Sequence, residues 1–342
     1  MTGNAIQPDM IPAEAGLKVA SHWQAQLQRA WRDPVGLLHH LGHDPGRFGL
    51  AAVGTFPFLV TEAFAARMKA GDPDDPLLRQ VLPLADEDLE TPGFGPDPVG
   101  DAASRAAKGV LHKYRGRALL ITTAACPIHC RYCFRREFDY ASDGLSGTAL
   151  AEAVDYIAAT TDIEEVILSG GDPMMLGNHK LRRLTDALSS IPHYRRLRIH
   201  SRMPVTLPAR VDGQLIDWME RLDRQVIVVV HANHANEFDE EVSRALSRMR
   251  AAGATILNQA VLLAGVNDTV PALARLMETG FEAGALPYYL HLLDRVTGSA
   301  HFDVERDRAL ALIDELRKQL PGYLVPRLVE ERAGAPSKLP VI

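Results

Sequence analysis

All three cysteines of the chain lie within eight residues, in the stretch Cys126-Pro127-Ile128-His129-Cys130-Arg131-Tyr132-Cys133. Such a cluster predicts a ligand set rather than disulfides, because thiolates bind soft metals and iron–sulfur clusters. Structural zinc sites use four protein ligands, whereas three thiolates suit a four-iron cluster with one iron left open. The alternative is a zinc site completed by His129 or His112, although known zinc spacings do not match this one.

The C-x3-C-x2-C spacing, with the aromatic Tyr132 before the last cysteine, resembles the signature of the radical S-adenosylmethionine (SAM) superfamily. The resemblance implies a 4Fe–4S cluster bound by Cys126, Cys130 and Cys133. It also implies that the open iron binds the amino and carboxylate groups of SAM.

From about residue 108 the chain alternates short apolar runs with amphipathic segments, a pattern typical of βα units in a parallel sheet. Strands are predicted at 118–122, 165–168, 197–200, 226–231, 255–262 and 288–292. Helices are predicted at 147–160, 178–190, 211–221, 236–252, 269–283 and 304–319. Six units are too few for an eight-stranded barrel, so the predicted fold class is α/β, a partial, open (β/α)6 barrel of radical SAM type.

The segment before the barrel reads as a small helical region. Residues 1–20 predict an irregular arm without a signal peptide. Two helices are predicted within 21–41, the second starting at Asp33-Pro34, and further helices are predicted at 57–68 and 77–82. The Pro/Gly-rich stretch 91–100 reads as a linker. The predicted division is therefore 1–107 (helical region and linker), 108–320 (barrel) and 321–342 (C-terminal strand and tail).

Polar and glycine residues follow the predicted strands at their carboxyl ends, where α/β barrels carry their chemistry. Ser169, Gly170, Gly171 and Asp172 form a glycine turn whose backbone could bind the amino group of SAM, or which could simply be a tight connection. Arg202 is a candidate partner for a carboxylate, or a rim salt bridge. His231 and Gln259 could contact the adenosyl group, although a histidine at a strand end is often a buried, hydrogen-bonded structural residue.

Two further stretches, His231-Ala232-Asn233-His234-Ala235-Asn236-Glu237 and Asn258-Gln259-Ala260-Val261-Leu262-Leu263, complete a specific resemblance. Together with the cysteines and the glycine turn they resemble the lysine 2,3-aminomutase family, most closely its short bacterial branch that serves β-lysylation of elongation factor P. The resemblance extends from about residue 70 to the end, with further matches at 71–82, 111–114, 130–136, 198–202, 287–294 and 322–326.

The family resemblance implies pyridoxal phosphate (PLP) as a third cofactor. It assigns the covalent attachment of PLP to Lys338, which would otherwise read as a lysine of the C-terminal tail. It assigns the phosphate to Lys113 and Arg117, with Tyr114 beside them. Without the family, these three residues would read as a solvated cluster before the first strand.

The resemblance also implies the substrate and its ligands. Arg135 matches the arginine that holds the α-carboxylate of free L-lysine. Asp294 matches one carboxylate for the ε-ammonium group, and Glu331 stands where the clostridial enzymes have the second, an aspartate. The resemblance implies a radical 1,2-amino shift to β-lysine, of R configuration in this branch. It also implies an external electron donor and a separate elongation factor P ligase.

The composition of the chain indicates whether nucleic acid or a membrane is an expected partner. A formal charge of −6 gives no electrostatic reason to expect nucleic-acid binding. No apolar run approaches the ~20 residues that span a bilayer, and unpaired cysteines predict the cytoplasm. Two alternatives stay open: a radical SAM, PLP-dependent aminomutase for another amino acid, such as glutamate, and a non-catalytic metal-binding adaptor.

Overall fold

The structure, a computed structural model, describes residues 22–51, 56–140, 144, 145 and 147–342. The arm predicted at 1–20 lies outside the described residues. Within them, four short helices precede the sheet: α1 (His22–Gln28), α2 (Pro34–His40), α3 (Glu62–Ala65) and α4 (Pro76–Arg79).

The two helices predicted within 21–41 are present as α1 and α2, and Asp33, predicted to start the second, caps α2 by accepting hydrogen bonds from the N–H groups of Val35 and Gly36. The helix predicted at 57–68 is reduced to α3, which begins only after Thr61, whose side chain accepts from the N–H of Phe64. Val60 instead forms a short antiparallel bridge with Trp31.

One sheet of ten strands follows, and its spatial order is the chain order: β1 (Arg105–Ala107), β2 (Val110–Tyr114), β3 (Arg117–Thr123), β4 (Glu165–Gly170), β5 (Arg196–Ser201), β6 (Gln225–Val230), β7 (Thr255–Val261), β8 (Leu286–His291), β9 (Arg327–Glu330) and β10 (Leu339–Pro340). β3 to β9 are parallel. The order ends at β1 on one side and β10 on the other, so the described sheet is not closed into a barrel.

All six predicted strands are present, as β3 to β8. The structure has two strands, β9 and β10, in the C-terminal segment 321–342, where the sequence predicted one strand without bounds. The antiparallel strands β1 and β2 were not predicted. β1, β9 and β10 are three, four and two residues long, too short for a periodic signal.

The connecting helices are α5 (Thr148–Ala159), α6 (Asn178–Ser189), α7 (Met203–Thr206), α8 (Gly213–Glu220), α9 (Glu240–Ala251), α10 (Val270–Glu282) and α11 (Arg306–Gln319). Their apolar faces pack with the central strands in one large core. β6 shows why: it reads Gln-Val-Ile-Val-Val-Val and is buried over most of its length, as a strand covered on both faces must be.

A second core packs the N-terminal helices against the cysteine stretch. Leu37, Phe64 and Leu77 are fully buried in it together with Ile128, which lies between Cys126 and Cys130. The helical region therefore supports the loop that carries the sulfurs.

Candidate active site

A cavity of about 250 Å³ lies at the carboxyl ends of the parallel strands. Every site residue predicted from the sequence lines it, including the three cysteines, the glycine turn and the residues proposed for SAM, PLP and lysine. The convergence of strand ends on one rim, expected from the sequence, is therefore what the fold produces.

The cysteine loop is fixed by a buried carboxylate that the sequence did not single out. Glu87 accepts from Nε and Nη2 of Arg131, at 2.7 and 2.5 Å, and from Nη2 of Arg136 at 2.8 Å. Because Arg131 and Arg136 flank Cys133, this two-pronged ion pair orients the backbone that carries the sulfurs.

The chemistry of the three thiols fits an iron–sulfur cluster. Burial and the neighbouring sulfur of Cys130 raise the pKa of Cys133 to about 11. Burial and nearby negative groups, first Cys133, raise the pKa of Cys126 as well. Thiolates held this close together are stable only when a cationic centre compensates their charge, and three of the four irons of a cluster would each bind one of them.

The zinc alternative finds no support in the side-chain contacts. Nδ1 of His129 bonds the carbonyl of Pro57 at 3.1 Å, and Nδ1 of His112 bonds the hydroxyl of Tyr156 at 2.7 Å. No group of three or more His, Cys, Asp or Glu side chains in the described part of the chain converges on a single metal ion. Ligands of a cluster bind different irons, so they need not converge on one point.

The glycine turn brings the end of β4 against the cysteine loop. The N–H of Gly171 donates to the carbonyl of Thr123 at 2.7 Å, and the N–H of Asp172 donates to the carbonyl of Ala125 at 2.8 Å. Gly170 has a φ of +115°, and a Cβ there would lie 2.7 Å from the carbonyl of Thr123. The glycines thus permit a backbone approach that any side chain would block.

Gly171→Ala is expected to impair cluster loading, because its Cβ would lie 2.5 Å from the carbonyl oxygen of Ala125 and force the cysteine loop away. The measurement is iron per chain after anaerobic reconstitution, with an expected loss of more than half. Gly177→Ala is the matched control, since nothing lies within 4 Å of its Cβ position. Equal iron content in the two variants would contradict this account of the turn.

The carboxylate of Asp172 accepts hydrogen bonds from neighbouring protein groups. Asp172 accepts from Oγ of Ser201 at 2.8 Å and from the backbone N–H groups of Met174, Arg202 and Met203 at 2.9, 2.8 and 3.0 Å. Its carboxylate therefore fastens the end of β5 to the glycine turn, and burial raises its pKa although these hydrogen bonds oppose that shift.

Arg202 follows β5 and is buried, so it is not a rim residue. Its guanidinium contacts the sulfur of Cys130 and the carboxylate of Glu237, both within hydrogen-bond distance. This places it beside the predicted cluster, at the end of the cavity where the sequence predicted SAM.

The wall formed by β6, β7 and β8 presents uncharged polar groups. Burial, reinforced by the charges of Arg202 and Lys338, lowers the pKa of His231 to about 3, so its imidazole is neutral. Oε1 of Gln259 and both ring nitrogens of His291 are buried and bond no other described residue. Buried polar atoms of this kind need a partner, so this wall is suited to a polar ligand.

Lys338 lies at the β10 edge of the sheet, where the backbone and a hydrogen bond fix its position. It immediately precedes β10, where Leu339 pairs with Glu330, and Val341 is buried against this edge. Its Nζ donates to Oε2 of Glu331 at 2.5 Å. The short antiparallel pair explains why a lysine this close to the C-terminus lines the cavity.

Glu331 joins Lys338 to a second lysine. Its Oε1 accepts from Nζ of Lys113 at 3.0 Å. Burial opposes ionisation of Glu331, but the charges of Lys338 and Lys113 outweigh it and lower the pKa to about 2. The longer side chain of glutamate therefore bridges two cations here.

Asp101 extends this network and was not predicted. It is 1% exposed, and it pairs with Nζ of Lys113 at 2.6 Å and with Nε of Arg135 at 2.7 Å. Arg135 also donates from Nη1 to Oγ of Ser169 at 2.9 Å. A guanidinium has five N–H donors, so others are left for a carboxylate ligand.

Three further predicted residues complete the lining. The guanidinium of Arg117 lies over the ring of Tyr114, 4.6 Å from its centroid, and burial followed by the negative charge of Glu331 raises the pKa of Tyr114. Asp294 lies just beyond β8. Burial raises its pKa to about 7, with Lys338 opposing the shift and Glu331 adding to it.

Comparison with known proteins agrees with this architecture. A profile of the Radical SAM superfamily matches residues 120–277, from within β3 to within α10. The open parallel sheet, the cysteine loop at its rim and this match define the class: a radical SAM enzyme.

Sequence relatives show which family of radical SAM enzymes the chain belongs to. The chain is 45% identical to the L-lysine 2,3-aminomutase of Escherichia coli (strain K12), over 93% of this chain and 94% of that protein. It is 40% identical to the L-lysine 2,3-aminomutase of Haemophilus influenzae, over 96% and 98%, and 33% identical to that of Clostridium subterminale, over 83% and 68%. The chain belongs to the lysine 2,3-aminomutase family and is an isomerase. Its cofactors are a 4Fe–4S cluster, SAM and PLP.

No helix in the described part of the chain is both long and apolar enough to cross a bilayer.

Proposed function

We propose that the protein is an L-lysine 2,3-aminomutase that converts free L-lysine to β-lysine, of R configuration, for the modification of elongation factor P. The observation that carries the proposal is that three cysteines, Lys338, Arg135 and Asp294 all line the same cavity. This reaction needs a radical generator, a lysine that bonds PLP, and two groups of opposite charge that bind the amino acid.

The cofactors would occupy different parts of the cavity. Cys126, Cys130 and Cys133 would bind the cluster, and the backbone at Ser169–Asp172, with Arg202, His231 and Gln259, would bind SAM. Lys338 would bond PLP, and Lys113, Tyr114 and Arg117 would hold its phosphate. When bound, the cluster and SAM supply a hydrogen-abstracting radical, and PLP carries the migrating nitrogen.

The protein residues orient the substrate and keep water out. Arg135, fixed by Asp101 and Ser169, would bind the α-carboxylate with its remaining donors. Asp294 would bind the ε-ammonium group, while Glu331, bridged to Lys113 and Lys338, would add negative charge nearby. The neutral imidazole of His231 and the apolar side chains of Ile167, Val261 and Leu293, which line the cavity, would limit side reactions of the radical.

A free amino acid fits this arrangement better than a lysine within a protein. Arg135 is 8% exposed and would grip a carboxylate that a peptide-bound lysine lacks. The α-nitrogen of such a lysine is an amide and could not bond PLP. We infer that a separate ligase attaches the product to elongation factor P, that an external donor reduces the cluster, and that the protein works in the cytoplasm.

A radical SAM aminomutase for another amino acid is the second candidate. Glutamate would place its side-chain carboxylate beside the carboxylates of Asp294 and Glu331, and neighbouring like charges repel. These two acidic residues therefore favour lysine.

The Asp294 carboxylate makes lysine turnover pH-dependent. With a pKa of about 7, Asp294 is neutral below that pH and ionised above it, and only the ionised form attracts an ammonium group. Accordingly, kcat/KM for lysine is expected to rise with pH through about 7, falling about tenfold per unit on the acid side.

Asp294→Asn should lose this rise and at least tenfold in kcat/KM at pH 8, since removing one partner of a buried ion pair costs roughly 2–5 kcal/mol and ~1.4 kcal/mol is tenfold. Asp303→Asn is the matched control, because that aspartate pairs with Arg295 at the surface. Unchanged lysine kinetics in Asp294→Asn, or faster conversion of a lysine already attached to elongation factor P than of free lysine, would refute the substrate assignment.

A further inference from the structure

Arg202 bonds a cysteine sulfur directly. Its Nη1 donates to Sγ of Cys130 at 2.6 Å. Its Nη2 donates to Oε1 of Gln80 at 2.6 Å and to Oε2 of Glu237 at 2.9 Å. The guanidinium is therefore held by two partners at Nη2, while Nη1 contacts the sulfur.

Glu237, which pairs with Arg202, is itself fully buried and hydrogen-bonded. Its Oε1 accepts from the N–H of Asn233 at 2.8 Å and from Nε2 of Gln80 at 3.1 Å. The rings of Phe64 and Tyr132 lie 5.2 and 5.7 Å from the guanidinium. Arg202 is 7% exposed, so water screens its charge only weakly.

We propose that Arg202 is a positioning residue that sets the reduction potential of the cluster through the Cys130 sulfur, with Glu237 opposing its charge. The inference rests on the proposed ligation of the cluster by the three cysteines. It adds a function for Arg202 that does not involve SAM, and functions for Gln80 and Glu237, which the sequence did not assign.

The physical basis is the charge that reduction adds. One electron passes from an external one-electron donor to the oxidised cluster, and no covalent bond forms or breaks. The added negative charge spreads over the irons and sulfurs, so an N–H donor and a positive charge at one sulfur stabilise the reduced form. Arg202 raises the potential, and the nearby Glu237 carboxylate lowers it.

Arg202 and Glu237 carry opposite charges, so removing one or the other should shift the reduction potential in opposite directions. Each variant is reconstituted anaerobically, checked for iron content, and titrated with dithionite in the absence of SAM, so that lost contacts to SAM do not enter the readout. At fixed potential, Arg202→Met is expected to lower the ratio of reduced to oxidised cluster about tenfold, or about 59 mV for a one-electron couple. Arg202→Lys should lower it less, and Glu237→Gln should raise it.

Arg210→Met is the matched control. Arg210 is also a fully buried arginine, but it donates to the carbonyls of Met174 and Leu176 and to the side chain of Asn178. Its loss should reduce thermal stability and leave the potential unchanged.

Different results would refute the ligation of the cluster by the cysteines and the function of Arg202. A wild-type protein that takes up no cluster, or a Cys130→Ala protein that keeps one, refutes the ligation. A loaded cluster with the same potential in wild type, Arg202→Met, Arg202→Lys and Glu237→Gln refutes only the function of Arg202. So does a shift of the same sign in Arg202→Met and Glu237→Gln, since a general structural disturbance would give that result.

Discussion

Cys130→Ala is expected to give a protein without a cluster: iron content near zero, no brown colour and no SAM cleavage. The reason is the ligand count. A four-iron cluster with one open iron has three protein ligands, and the chain contains no cysteine besides Cys126, Cys130 and Cys133 that could replace a lost one. Cys130 also accepts the hydrogen bond of Arg202, so its loss leaves a buried guanidinium without one partner.

The measurement is iron and sulfide per chain, with the visible spectrum, after anaerobic reconstitution. Wild type should bind about four irons. His129→Ala is the matched control from the same loop, because His129 bonds the carbonyl of Pro57 and is not expected to bind metal. A colourless wild type with one zinc per chain, lost in His129→Ala, would favour the zinc alternative.

Lys338→Ala is expected to abolish the covalent attachment of PLP and with it aminomutase activity. Lys338 is anchored by β10 and directed at Glu331, so its amine has a fixed position in the cavity. SAM cleavage without amino migration should persist, because the cysteine loop is built by Glu87 and the N-terminal core rather than by the C-terminal edge.

Borohydride reduction followed by peptide mapping locates the attachment. The pyridoxyl group should appear on Lys338 in wild type and in Lys180→Ala, a control at an exposed lysine of α6. A label on Lys113, which also lines the cavity, would show that the C-terminal assignment is wrong.

The sequence predicted the central fold well because its signals are local. β6 is an apolar run followed by polar residues, β7 carries Asn258 and Gln259 within a largely apolar run, and the glycine turn marks the end of β4. Runs as short as β9 and β10 carry no such signal, and their place in the sheet depends on contacts with distant strands.

The supporting residues of the site were missed for the same reason. Glu87 lies 44 residues before Arg131, Asp101 lies 34 residues before Arg135, and Gln80 lies 122 residues before Arg202. No spacing links an acidic residue in an N-terminal segment to an arginine in the barrel. The site residues themselves could be named because a family resemblance carries their positions; their partners required the folded chain.

The central proposal is amino migration on free lysine, and product analysis tests it most directly. Protein reconstituted with iron and sulfide is incubated anaerobically with L-lysine labelled at the α-nitrogen, SAM, PLP and dithionite. The expected product is β-lysine that retains the labelled nitrogen, and it should be absent when SAM is omitted and in Lys338→Ala. Intact SAM cleavage without β-lysine, or faster isomerisation of glutamate than of lysine, would contradict it.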